Sequence, residues 1–109
     1  MHLLDETHYH PRLSATGGIA VVLFSSTSCG SCRAVEKRLP EALPPGTHLF
    51  KVDVQQATGL ARAFEVFHLP TLLLYRDGHF HARLECEISA AALRAAMARA
   101  LARAAEEEP

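Results

Sequence analysis

Six consecutive apolar residues, Ile19-Ala20-Val21-Val22-Leu23-Phe24, form the longest run in the chain. They are rich in β-branched side chains, the pattern of a strand covered on both faces and placed mid-sheet. Shorter runs follow. Leu49 to Val54 reads as a second strand, and Thr71 to Arg76 as a third. Asp77-Gly78 is a hairpin signal, so His79 to Glu87, which alternates, becomes the third strand's partner. Helical spacing appears in between. Cys32, Val35, Glu36 and Leu39 repeat along one segment, with the polar cluster Ser25-Ser26-Thr27-Ser28 ahead of it as the source of an N-cap. Pro40 is expected to kink or end this helix, and Leu43-Pro44-Pro45-Gly46 to form a loop. Leu60, Ala63 and Phe64, with Phe67, outline the apolar face of a second helix. Ser89 caps a last one carrying Leu93, Met97, Ala100/Leu101 and Ala104. Before the first strand only a weak helical segment, about Tyr9 to Leu13, is readable.

The order βαβα, then a hairpin and a closing helix, predicts an α/β domain of three layers, αβα, around a mixed sheet. At 109 residues the chain suffices for one core and not for two. We assign residues 1–105 to that single domain and 106–109, Glu-Glu-Glu-Pro, to an acidic solvated tail.

Composition removes several classes of function. Charged residues are 21 % of the chain and the net charge is −1, so a nucleic-acid footprint is not predicted. No apolar run approaches the roughly 20 residues that cross a bilayer, so no membrane contact is predicted. The first residues, Met1 to Glu6, lack a basic region followed by an apolar one, which points to the cytoplasm. In such a reducing compartment three cysteines, two of them three apart, indicate redox or metal chemistry and not a disulfide framework.

Cys29-Gly30-Ser31-Cys32 lies between the buried strand and the helix it feeds. Residues i and i+3 on a helix's first turn are neighbours, so both sulfurs share one side. The unpaired N–H groups there favour an anion, which makes Cys29 the candidate nucleophile. Cys32 can then resolve the mixed disulfide by attacking the Cys29 sulfur. Half a metal site, or two ordinary buried cysteines, are the competing readings. Zinc needs at least three protein ligands, and this motif supplies two, so we assign no metal.

These segments, together with Phe50-Lys51-Val52-Asp53-Val54 and Val66 through Pro70 to Gly78, resemble the thioredoxin family in order and spacing. The resemblance implies the thioredoxin fold with its N-terminal strand truncated, since only Met1 to Leu4 can supply it. It also implies a protein-disulfide reductase, active in cell redox homeostasis without a cofactor of its own, and restored by an NADPH-dependent thioredoxin reductase. Pro70 matches the family's cis-proline, and Leu69 the residue whose backbone pairs with substrate. Cys86 matches a glycine in the loop framing the substrate groove. It acts as a small apolar residue, an auxiliary thiol or a third metal ligand.

Several positions depart from the family. Ser25 and Ser28 stand where aromatic residues are usual, and Ser31 replaces a proline, which should shift the dithiol balance toward a less reducing centre. Leu23 replaces a buried aspartate held to relay the proton of the resolving cysteine. Lys51, that aspartate's usual partner, must then snorkel outward, find a carboxylate such as Asp53 or Glu85, or titrate low, and so modulate Cys32. With its docking surface more polar, the chain could instead be a redox-sensing binding module without turnover. Among seven histidines, His79 and His81 are read as part of a solvated hairpin, and His68 as an exposed loop residue on the active-site side.

Overall fold

The computed structural model describes residues 1–109. Nine elements follow one another: β1 (His2–Leu3), α1 (Tyr9–Ser14), β2 (Ile19–Ser25), α2 (Gly30–Ala42), β3 (His48–Asp53), α3 (Thr58–Ala63), β4 (Thr71–Arg76), β5 (His79–Leu84) and α4 (Ala90–Leu101). The sheet order is β1-β3-β2-β4-β5, with β2 in the centre, as its unbroken apolar run requires. β1, β3 and β2 run parallel, while β4 is antiparallel to both β2 and β5.

Alternation along the strands divides the core in two. Ala20, Val22 and Phe24 of β2 join Phe50, Val52, Leu73 and Tyr75 on the face covered by α1 and α3. Val21 and Leu23 join Leu72 and Leu74 on the face covered by α2 and α4. The three layers therefore follow from the period of two on a strand buried on both sides.

The hairpin turn has Asp77 at φ 48° and Gly78 at φ 82°, the mirror-image turn that suits the twist of a two-residue connection. Gly78 is also pressed against α1: a Cβ there would lie 2.8 Å from the Ser14 carbonyl oxygen. Gly18 and Asp77 exchange two hydrogen bonds of 2.8 Å, which fasten the loop before β2 to this turn.

Four local expectations change. α2 continues through Pro40 to Ala42, because proline removes a single N–H and the Leu43 N–H still reaches the Leu39 carbonyl at 3.0 Å. α3 ends at Ala63, and Glu65 at φ 54° turns the chain, so Phe67 leaves the apolar face and stands 84 % exposed. His81 is buried and not solvated, its Nε2 donating to the Ala100 carbonyl at 2.6 Å. The tail side chains are exposed, yet Glu106 is held to the outer edge of β5: its N–H donates to the His81 carbonyl (2.7 Å) and its Oε1 accepts from the Arg83 N–H (3.1 Å).

Tyr9 and Tyr75 meet inside the first core with their hydroxyls 2.8 Å apart. Burial pushes both phenols up from their ordinary value of 10.0, helped at Tyr9 by the neighbouring Tyr75. Above pH 10 the folded chain therefore keeps protons that the unfolded chain has lost. Their stabilisation is complete below that pH and declines above it, by up to ~1.4 kcal/mol per pH unit for each tyrosine. Urea unfolding between pH 9 and 11.5 should show this decline, with roughly half the slope in Tyr75→Phe; equal slopes in the two proteins would contradict it.

Candidate functional site

The carboxyl ends of β2 and β3 and the start of β4 lie at one end of the sheet, because Phe24 pairs with Val52 on one side and Thr71 on the other. The loop 26–28 leaves β2 there and delivers Cys29. Its polar side chains were expected to cap α2. The cap is Cys29 itself, in extended conformation (φ −96°, ψ 108°), with its Sγ accepting from the Cys32 N–H at 3.2 Å. A sulfur thus takes the place usually held by a serine or aspartate oxygen. The Ser31 hydroxyl lies 3.3 Å from the same sulfur.

Cys29 and Cys32 are joined as a disulfide with Cα atoms 5.3 Å apart. Cys29 is half-buried and Cys32 only 1 % exposed, so one sulfur faces solvent while the other is enclosed under the helix. Gly30 is exposed, and a Cβ would meet nothing within 4 Å. The serine-rich loop has a different task from capping. Gln55 Nε2 donates to Ser28 Oγ (2.9 Å), Thr27 Oγ1 to Gln55 Oε1 (3.1 Å), and Arg33 to the Thr27 carbonyl (3.2 Å), which ties the loop to α2 and to the end of β3. Gln55 was not singled out in the sequence; its position just past the end of β3, the strand adjoining β2, is its only signal.

The Leu69-Pro70 peptide is cis, in line with the position Pro70 occupies in the family pattern. Neither the N–H nor the carbonyl of Leu69 has a hydrogen-bond partner within the chain. A groove of about 400 Å³ runs from His68 and Pro70 to Cys86 and Ile88. Cys86 is a free, half-buried thiol at its far wall. Burial pushes that thiol up, Arg99 lowers it and Glu87 raises it further, so it stays protonated and poorly nucleophilic at neutral pH.

Leu23 is fully buried in the apolar layer beneath α2, directly beside Lys51 in the β2–β3 register. Lys51 does find a carboxylate, but neither Asp53 nor Glu85. Its Nζ lies 3.3 Å from Glu36 Oε1, and Ser25 Oγ donates to the same oxygen at 3.2 Å. Position 36 falls one turn beyond Cys32 on the side of α2 that faces the sheet, where a lysine on β3 reaches it. No three histidine, cysteine or carboxylate side chains converge as a metal-holding group.

A strand-fed helix capped by the first of two paired cysteines, with a cis-proline loop at the same end of a mixed sheet, defines a dithiol-centred α/β domain. The thioredoxin family model matches residues 1–99, and the chain belongs to that family. A 31 % identical relative, Thioredoxin Asp f 28 of Aspergillus fumigatus, aligns over 69 % of this chain and 70 % of its own length. Thioredoxin-2 of Pyricularia oryzae is 38 % identical over 60 residues, or 53 % of this chain, but that match spans only 35 % of the relative's length. Among solved structures, the zinc-bound form of human ERp44 superposes with a TM-score of 0.76 at 20 % identity, over 91 % of this chain and 31 % of the other. Mitochondrial thioredoxin 3 of Saccharomyces cerevisiae, in its oxidized form, gives 0.70 at 24 %, over 78 % and 82 %. These two share the thioredoxin fold.

Proposed function

We propose that the chain is a thiol-disulfide oxidoreductase acting on protein disulfides, with Cys29 attacking and Cys32 resolving. The pairing of one solvent-facing and one enclosed sulfur at the start of α2 carries this reading. In the reduced protein the Cys29 thiolate receives the Cys32 N–H and the Ser31 hydroxyl, both of which favour the anion. It attacks one sulfur of a substrate disulfide, the other leaves as a thiol, and Cys32 then displaces the bound sulfur to close the pair.

The unpartnered Leu69 backbone receives the substrate as a short extended segment beside Pro70, and the groove toward Cys86 accommodates what flanks it. Phe67, exposed two residues before Leu69, supplies an apolar contact that Ser25 and Ser28 do not. Phe67→Ala is expected to raise KM for a protein disulfide roughly three- to tenfold, as loss of about 1 kcal/mol of apolar burial implies, with kcat little changed. An unaltered KM would remove Phe67 from the docking surface.

The reading includes a reducing, cytoplasmic setting and an NADPH-dependent flavoprotein reductase that restores the dithiol. The direct test is insulin reduction followed by turbidity with dithiothreitol as electron donor. The protein should accelerate it well above dithiothreitol alone; no acceleration, with this donor or with NADPH and a thioredoxin reductase, would sink the enzyme reading.

A further inference from the structure

We propose that Glu36 is the group that takes the Cys32 proton in the resolving step, in the place left vacant by an apolar Leu23; this rests on the dithiol reading above. Cys32 and Glu36 are i and i+4 on α2, so their Cβ atoms are about 5–6 Å apart on one helix face. Helical side chains lean toward the N-terminus, which aims the longer glutamate back over the turn that carries Cys32. Beneath them β2 offers no acid: Leu23 is wholly apolar and buried, and Ser25 is the only polar side chain it turns toward α2.

Ser25 and Lys51 both bind Oε1 of Glu36, while Oε2 has no partner within the chain. One oxygen is thus anchored and the other is free to meet a thiol, directly or through one water. Glu36 is about a third exposed and borders a cleft of about 270 Å³ lined only by polar side chains, a route by which the proton reaches solvent. The charged groups facing it are Arg33 from α2 and Lys51 and Asp53 from β3; β2 contributes no charge.

In the step itself the Cys32 thiol gives its proton to the Glu36 carboxylate as its sulfur attacks the Cys29 sulfur. The Cys29–Cys32 bond forms and the Cys29–substrate bond breaks. Two electrons leave with the substrate sulfur, which departs as a thiolate and takes up a proton from Glu36 or from water. Lys51 is a positioning residue that holds the carboxylate by its Oε1 oxygen.

Stopped-flow reaction of the reduced protein with one equivalent of 5,5′-dithiobis(2-nitrobenzoate) separates the two attacks. Cys29 releases the first thionitrobenzoate in a concentration-dependent phase, and Cys32 the second in a concentration-independent one. Glu36→Gln should slow only the second phase, by about 100-fold, and abolish its acid limb, while Glu36→Asp retains part of both. Lys51→Met, which removes the cation that anchors Oε1, should also slow the second phase while leaving the first unchanged. A second phase in Glu36→Gln within threefold of wild type at every pH overturns the inference. So does a second phase in Lys51→Met as fast as in wild type, should Glu36→Gln not fold. Absence of the first phase in wild type would instead overturn the dithiol reading itself.

Discussion

Cys29→Ser is expected to abolish disulfide reduction, by at least about a hundredfold in an insulin assay, whereas Cys32→Ser should stop at the first chemical step. The two differ because the structure separates the sulfurs by exposure, Cys29 reachable and Cys32 enclosed. A serine hydroxyl at 29 is scarcely ionised at neutral pH, so no attack occurs. With serine at 32 the thiolate at 29 survives, but nothing displaces the captured sulfur. The substrate then stays attached in a mixed disulfide, visible on a non-reducing gel and dispersed by dithiothreitol. Turnover by Cys32→Ser at the wild-type rate, with no trapped species, would show that resolution comes from outside the pair.

Phe64→Ala carries the largest expected cost in stability, about 3–5 kcal/mol. Phe64 is 2 % exposed, and its ring lies 5.3 Å from Tyr9, 6.0 Å from Phe24 and 6.2 Å from Phe80. It is the piece that joins α1, β2 and β5 on one face of the sheet. The hole left by truncation is bordered by Tyr9 of α1 and by Phe24 and Phe80 of the sheet, whose strand pairing limits how far it can close. For a domain of this size the loss lowers Tm by roughly 10 °C or more, out of a total stability of about 5–15 kcal/mol. Phe67→Ala, three residues on, should leave stability within about 0.5 kcal/mol. Urea unfolding of the two variants side by side decides the matter; near-equal costs would mean that the aromatic cluster does not organise this layer.

That pair of phenylalanines also shows what the sequence can and cannot disclose. A spacing of three places both on one helical face, and nothing local announces that Glu65 will turn left-handed and break the helix between them. Features written in consecutive residues were legible: the apolar run of β2, the Asp77-Gly78 turn, the Ser89 cap whose hydroxyl accepts from the Ala92 N–H at 3.1 Å, and the dithiol at a helix start. The features that escaped depend on how separate elements rotate against each other. Lys51 was expected to snorkel outward, find a carboxylate such as Asp53 or Glu85, or titrate low, and placing it on Glu36 requires the register of β3 and the roll of α2 together. His81 was placed on a solvated hairpin because α4, whose Ala100 carbonyl it meets, lies almost twenty residues away. Gln55 had no chemical signature, only a place beside the loop it ties down.

Sheets of this kind have two rims, and Glu106 makes them unequal. By meeting the His81 carbonyl and the Arg83 N–H, it uses outward-facing ladder groups of β5 that a foreign strand would need. The opposite rim is β1, two residues long, with Leu3 59 % exposed. Joining one rim to the other, molecule after molecule, is how a sheet grows into an open fibre. With those two β5 groups taken by its own chain, β1 is the rim more open to strand pairing, and β1 against β1 is an arrangement that shuts on itself after two.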